Sequence, residues 1–149
     1  MPFAQKSPVA AGYQQALTPG GSEQVRARFG QPIALADHVV GNRGVIGVLP
    51  AGTVPESFFV RVPTALGAGF KASIGLADAN GDISTAADDG GAPWLTDDTT
   101  GVAGGYVQVA PAAFAKLQPK AFDRQLVLKV TGAGTNVGLF AIDLVYSNV

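Results

Sequence analysis

The sequence contains no cysteine and a single histidine, His38, in 149 residues. Without cysteine there can be no disulfide framework or thiolate metal site, and one histidine excludes a multi-histidine metal centre. Ten Lys and Arg against eleven Asp and Glu leave a net charge of -1, so the basic surface that nucleic-acid binding requires is missing. No apolar run approaches the roughly 20 residues of a membrane-spanning helix. We therefore expect no cofactor, no nucleic-acid partner and no membrane partner.

Charge is also sparse overall. Charged residues make up 14% of the chain, whereas an average soluble domain contains about 25%. Apolar surface that charge does not dilute tends to be contact surface. We therefore expect much of the exterior to be covered by copies of the chain or by another protein. The alternative is an ordinary, weakly charged domain rich in Ala and Gly.

The first 22 residues differ from the rest of the chain. They carry Pro2, Pro8, Pro19 and a Gly20-Gly21 pair, and they show no sustained helical or strand period. Such a segment cannot bury enough apolar area on its own to offset its ordering entropy. We predict an extended N-terminal arm at residues 1–22 and one β-sandwich domain at residues 23–149. The arm is either a disordered terminus or becomes ordered on a neighbouring subunit.

Short apolar stretches separated by Gly and Pro turns follow the arm. Apolar alternation and branched apolar runs predict strands at residues 25–29, 33–36, 45–49, 58–62, 70–76, 106–109, 125–131 and 139–146. The last strand is apolar on both faces around Asp143, as is typical of the middle of a sandwich or of a seam between subunits. Pro111 begins a single helical turn that Pro119 ends. The pattern predicts an all-β fold, a β-sandwich or jelly-roll-like domain with one short helical turn.

Two acidic segments raise the question of a metal or catalytic site. Asp78 to Asp82 has the alternating oxygens and the glycine of a calcium loop, but the glutamate expected about six residues past the glycine is missing. The favoured interpretation is a hairpin turn in which Asn80 and Gly81 both have positive φ. The pairs Asp88-Asp89 and Asp97-Asp98 flank Trp94, as in a glycosidase site. They lie in a Gly- and Thr-rich stretch that is more typical of a solvated loop.

The remaining polar candidates predict contacts rather than chemistry. His38 lies beside Asp37, but no Gly-x-Ser-x-Gly elbow accompanies it, so we interpret it as a structural or surface histidine. Trp94 and Leu95 are expected to insert into the core or into a neighbouring subunit. The strand arginines Arg26, Arg28, Arg43 and Arg61 either face a partner or are solvated.

The order of the later elements resembles a known family. The segments that carry the resemblance are Phe-Phe-Val-Arg-Val at 58–62, the strand and hairpin at 74–82, the strand at 123–131 and the closing strand at 137–148. Together they resemble the capsid decoration, or cement, proteins of tailed bacteriophages, over about residues 45–148. The resemblance implies a β-sandwich that forms small homo-oligomers, often trimers, and binds the outside of the major capsid protein lattice. It brings no catalytic residues.

The sequence thus favours a non-enzymatic virion structural protein on the capsid surface, made in the host cytoplasm. Its partners would be the major capsid protein and copies of itself. A phage tail or head-fibre component is one alternative. A carbohydrate-binding jelly roll, with Trp94, Tyr106 and the Asp97-Asp98 pair at its site, is another. The residues that we expect at protein contacts are Phe3, Tyr13, Arg26, Arg28, Arg61 and Trp94.

Overall fold

Eight strands in two four-stranded antiparallel sheets form the computed structural model, which describes residues 3–12, 14 and 24–148. The strands are β1 (Gln24–Ile33), β2 (Arg43–Leu49), β3 (Thr53–Val62), β4 (Lys71–Leu76), β5 (Leu95–Asp98), β6 (Gly105–Val109), β7 (Arg124–Gly132) and β8 (Gly138–Asn148). Sheet A has the order β1-β8-β3-β6, and sheet B has the order β2-β7-β4-β5. A one-turn helix, α1 (Thr100–Ala103), and 3-10 turns at Leu35–Asp37, Ala87–Asp89 and Ala112–Ala115 join them.

The strand pairing is nested from the two ends of the chain inward. Strand β1 pairs with β8, β2 with β7, β3 with β6 and β4 with β5, all antiparallel. A nested antiparallel ribbon folded into two sheets is a jelly roll. The predicted fold class is therefore confirmed. Strand β8 lies between β1 and β3 in sheet A, which explains why its sequence is apolar on both faces.

Alternate residues of each strand fill the space between the sheets. Sheet A contributes Phe29, Phe58, Phe140 and other fully buried side chains, and sheet B contributes Ile74 and Leu128 among others. Each such side chain stabilises the fold by about 1.5–3 kcal/mol relative to its exposed state. Because the alternation places these residues inward, the intervening residues of sheet A point outward and form its second face.

Strand β1 extends further than predicted. The separate strand expected at residues 33–36 is wrong, because Ile33 ends β1 and a 3-10 turn follows it. Pro32 is accommodated within β1 since this strand is an edge of sheet A, where a missing N–H breaks no ladder. The Asp37 carboxylate then turns the chain by accepting a hydrogen bond from the Ala34 N–H at 2.8 Å.

The stretch at residues 84–105 is more ordered than its composition indicates. It contains β5, which pairs with β4 although its sequence lacks apolar alternation, and it also contains α1. The hairpin at Asp78–Asp82 is present, but only Gly81 has a positive φ, so the prediction of positive φ at Asn80 is wrong. The Asp78 side chain accepts hydrogen bonds from the backbone N–H groups of Asn80 and Asp82 and closes the turn in another way.

The described part of the N-terminal arm lies along the β1 and β2 edges of the same chain. The Ser7 hydroxyl donates to the carbonyl of Val45 at 2.6 Å, and the Gln31 side-chain amide donates to the Gln5 carbonyl. The Phe3 ring packs where Gly44 leaves room, since a Cβ at residue 44 would lie 2.8 Å from the ring. The arm thereby covers two sheet edges that would otherwise be open to pairing with other chains.

The packing of Phe29 against Gly47 provides a test of the inter-sheet contact. A Cβ at residue 47 would lie 2.7 Å from the fully buried Phe29 ring, whereas one at Gly30 would meet only the end of the half-exposed Leu139 side chain, at 3.1 Å. We expect Gly47→Ala to lower the free energy of unfolding by about 1–3 kcal/mol. Gly30→Ala should change it by less than about 0.5 kcal/mol. Urea unfolding of both variants checks this, and equal effects would contradict the packing.

Candidate protein-binding surface

The outer face of sheet A carries a cluster of arginines around one carboxylate. Strand register sets the arrangement, because Arg28 of β1 and Phe59 of β3 both lie opposite Asp143 of β8. Two residues after Phe59 on β3, and on the same face, Arg61 lies opposite Tyr106 of β6. We call the set Arg26, Arg28, Phe59, Arg61, Tyr106 and Asp143 the arginine platform.

Asp143 holds the three guanidinium groups together. Its Oδ1 accepts from Arg28 Nε at 2.9 Å, and its Oδ2 accepts from Arg26 Nη2 at 2.9 Å and from Arg61 Nη2 at 3.0 Å. The Asp143 side chain has no solvent exposure. Burial alone would raise the pKa of Asp143, but the hydrogen bonds from the three arginines outweigh it and lower the pKa to about 2. The carboxylate is therefore charged at neutral pH and fixes all three arginines.

Two aromatic rings complete the platform. Phe59 and Tyr106 stack with ring centroids 5.5 Å apart and planes at 4°. The guanidinium carbon of Arg26 lies 4.7 Å from the Phe59 centroid, and that of Arg61 lies 4.2 Å from the Tyr106 centroid. Arg26 also donates to the Tyr106 hydroxyl. These contacts restrict long side chains that would otherwise lose rotamer entropy on binding a partner.

The platform has more cationic donors than its own carboxylate uses. The side chains of Arg26, Arg28 and Arg61 remain 49%, 62% and 35% exposed, and they face one aspartate. Arginine and tyrosine held rigid at a surface are the residues enriched where proteins bind one another. The platform is therefore suited to bind a carboxylate-bearing protein surface.

The other expected contact residues lie elsewhere. Phe3 is 6% exposed and Trp94 is 2% exposed, both packed within their own chain. Trp94 makes edge contacts with Phe58 at 5.7 Å and Phe114 at 4.7 Å between centroids, which is the core insertion that the sequence left open. Tyr13 lies outside the described residues.

The alternative sites predicted from the sequence are not assembled. Trp94 is buried and Tyr106 lies on the outer face of sheet A, so the aromatic residues of the carbohydrate site are not brought together. Asp82 accepts a hydrogen bond from the backbone N–H of Ile83, which, together with the ion pairs to Lys129 and Arg43 at 3.2 Å each, lowers the pKa of Asp82 despite some desolvation. In the described ranges no group of three or more His, Asp or Glu is placed to hold a metal ion. Nor does that part of the chain contain a helix long and apolar enough to cross a membrane.

His38 has a structural role at one end of the sandwich. Its Nδ1 accepts from the Gly134 N–H at 2.9 Å, and its Nε2 lies 2.8 Å from the Asn136 carbonyl. The ring therefore ties the β1–β2 loop to the β7–β8 turn. Three exposed aliphatic side chains lie on the two segments that His38 joins, and we call this set the apolar end: Leu35, Val40 and Val137, exposed by 65%, 66% and 62%.

Arg124, the first residue of β7, has no comparable partner. It is 6% exposed, and none of its three guanidinium nitrogens has a hydrogen-bond partner in the described structure. Desolvation lowers its pKa, and the charge of Asp89 only partly opposes this effect. Burial of an unpaired cation costs free energy that a hydrophobic side chain would not lose.

Sequence comparisons and structural comparisons gave different results. No family model matches the chain, and no curated protein matches it significantly. Two solved structures share its fold. A chain of the capsid of Ralstonia phage GP4 superposes with a TM-score of 0.71 and 23% identity, over 97% of both chains. A chain of the cyanophage Pam1 capsid asymmetric unit superposes with a TM-score of 0.58 and 10% identity, over 93% of this chain and 96% of that one.

The pKa of Asp143 predicts an acid-sensitive contribution to stability. An unfolded aspartate has a pKa near 3.9, and the folded value is about 2, so ionisation favours the fold above about pH 4 and this contribution is lost as the pH falls toward 2. Solvent screening at the half-exposed arginines reduces the contribution to about 1–2 kcal/mol. We expect Asp143→Asn to lower the free energy of unfolding by at least this much at pH 7, and by less below pH 4. Urea unfolding at a series of pH values measures this difference in the free energy of unfolding.

The control is Asp88→Asn at an exposed position. The same pH profile in both variants would contradict the assignment.

The unpaired Arg124 predicts a stabilising substitution. Arg124→Met keeps the length of the side chain and removes the buried charge, so we expect the free energy of unfolding to rise by about 1–3 kcal/mol. Thermal and urea unfolding measure the change. Arg43→Met, which breaks the half-exposed pair with Asp82, should have little effect or a small destabilising one. Destabilisation by Arg124→Met would mean that the guanidinium has a partner.

Proposed function

We propose that the chain is a non-enzymatic structural protein of a phage virion that binds the outside of the capsid lattice and stabilises the head. The observation that carries the proposal is the jelly roll shared with a chain of the Ralstonia phage GP4 capsid over 97% of both chains. The matching chain therefore has nearly the same length, and the likeness extends over almost all of both chains. A second capsid structure with the same fold supports it.

Charge favours the outer side of the shell. Packaged DNA is a dense polyanion, and proteins that contact it carry a surplus of Lys and Arg. The net charge here is -1, and three of the ten basic residues surround Asp143. A protein with this charge distribution gains nothing from facing DNA, whereas an outer position requires only contacts with other proteins.

The stabilising mechanism would be additive burial across neighbouring capsid subunits. Each Å² of apolar surface removed from water contributes about 25 cal/mol, and attachment at several points converts weak contacts into firm binding. The apolar end is the best candidate for the contact with the shell. The exposed aliphatic side chains of Leu35, Val40 and Val137 lie on the two segments that the His38 hydrogen bonds join, and exposed apolar surface is typical of a binding site.

Binding to capsids tests this function. We expect the purified chain to co-sediment with expanded heads of the phage that encodes it, to lie on their outer surface in electron micrographs, and to raise the temperature at which the heads release DNA. Val40→Asp with Val137→Asp should weaken binding at least tenfold, because both side chains would be covered.

The control is Phe122→Asp. Phe122 is 61% exposed and precedes β7, whereas Val137 follows it, so the two residues lie at opposite ends of the sandwich. This variant should bind normally. Absence of the protein from heads, or its location on tails, would contradict the proposal, and equal loss of binding in both variants would contradict the role of the apolar end.

A further inference from the structure

Acidic and basic residues are segregated along the chain. The 44 residues between Lys71 and Lys116 contain six Asp and no Lys or Arg. The arginines of the platform precede this stretch, on β1 and β3 of sheet A. The stretch includes β5, the edge strand of sheet B, which carries Asp97 and Asp98, whereas the outer face of sheet A presents a surplus of guanidinium groups.

Asp97 differs from the other five aspartates of the acidic stretch. The other five have partners within the chain: Asn80 and Asp82 N–H for Asp78, Arg43 and Lys129 for Asp82, Lys120 for Asp88, Ser84 for Asp89 and Thr100 for Asp98. The carboxylate of Asp97 has no hydrogen bond or ion pair within the described residues, and its side chain is exposed. It is therefore available for a partner.

The backbone at Asp97 is also unusual. With φ of 49° it is the one non-glycine residue of the described ranges in the left-handed region. Its N–H donates to the Ser73 hydroxyl at 3.0 Å, which helps to hold this conformation. A left-handed backbone conformation costs about 1 kcal/mol in a residue other than glycine, and such conformations concentrate at binding sites. The chain keeps an exposed, unpaired carboxylate in a fixed place at the edge strand of sheet B.

The platform and Asp97 do not pair with each other within one chain. Asp97 lies on β5 of sheet B, and the platform is on the outer face of sheet A, with a core about 10 Å thick between the sheets. Arg28 uses only its Nε toward Asp143, so its two terminal nitrogens are available. Contact between two different surfaces of copies of one chain is head-to-tail, and it closes into a ring when the rotation between the copies permits.

We propose that the acidic β5 edge of one copy, led by Asp97, docks against the arginine platform of a second copy, with Arg28 receiving the carboxylate. A carboxylate and a guanidinium form charge-assisted, often bidentate, hydrogen bonds. Nucleic acid fits this surface less well, because the Arg26 and Arg61 guanidinium groups lie over the rings on which bases would stack. The inference does not rest on binding to a capsid.

Charge exchange between the two surfaces tests the contact. Sedimentation velocity of the full chain at micromolar concentrations should detect a closed oligomer at about 50 mM salt that dissociates at about 500 mM. Arg28→Glu and Asp97→Lys should each weaken self-association at least tenfold, and the double variant should recover most of it. Asp97→Asn, which tolerates the left-handed backbone, should also weaken it.

The matched controls carry the same charge changes at exposed residues away from the contact. Lys116→Glu and Asp88→Lys should leave self-association within twofold of the unmodified chain. Thermal unfolding of each variant confirms that it is folded. If Asp97→Lys does not fold, Asp97→Asn provides the comparison with Arg28→Glu.

Three results would overturn the inference. The first is an unmodified chain that stays monomeric throughout the micromolar range at low salt. The second is a double variant that associates no better than the weaker single variant. The third is an Arg28→Glu variant that loses binding to heads but still self-associates, which would assign the platform to the shell and leave the proposed function intact.

Discussion

The position of β8 between β1 and β3 is the constraint on which the outer face of sheet A depends. Because the first and last strands of a jelly roll are neighbours, Arg26 and Asp143 meet although 117 residues separate them. Strand β3 then brings Arg61 to the same carboxylate from the opposite side. A change in the register of β8 by one residue would turn Asp143 into the core and leave three arginines without a counter-charge.

The two sheets differ in how far the chain itself covers them. Over sheet B, the segment after β4 returns across the outer face. The Ile83 side chain fills the space beside Gly75, where a Cβ would lie only 2.5 Å from it. In the described ranges no such segment crosses the arginine platform. Part of the outer face of sheet B is therefore covered by the chain itself, whereas the arginine platform of sheet A is exposed to solvent.

Sequence reasoning succeeded where a signal was local. Alternation of apolar residues predicted most strands. The two apolar faces of the last strand indicated a place in the middle of the sandwich or at a seam between subunits, and β8 lies in the middle of sheet A. Strand β5 was missed because Leu95 to Asp98 has no alternation, and its pairing with β4 defines it. The strand arginines were recognised as candidates for partner contacts, but their convergence on Asp143 was not, because it depends on pairing between distant strands.

Two hydrophobic residues illustrate the same limit. Phe3 lies in a Pro-rich segment that gave no sign of a place in the core, and Trp94 lies in a Gly-rich segment that left the core and a neighbouring subunit open as its place. Phe3 is buried because Gly44 leaves a space for its ring. Trp94 is buried because its backbone bonds to β4 and carries the indole toward Phe58 and Phe114. A pattern based on neighbours in sequence cannot report a space that a distant glycine creates.

The ion pairs and hydrogen bonds of the acidic residues show how the low charge content of the chain affects association. Most acidic groups of the 72–115 stretch are already bonded within the chain, so few charges remain to direct association, and those few are held rigidly. The apolar end consists of three uncharged side chains, Leu35, Val40 and Val137. Contacts through that end should persist in salt, because burial of apolar surface does not depend on screening, whereas contacts through the platform should weaken. Two surfaces with opposite responses to salt allow one small domain to bind two partners independently.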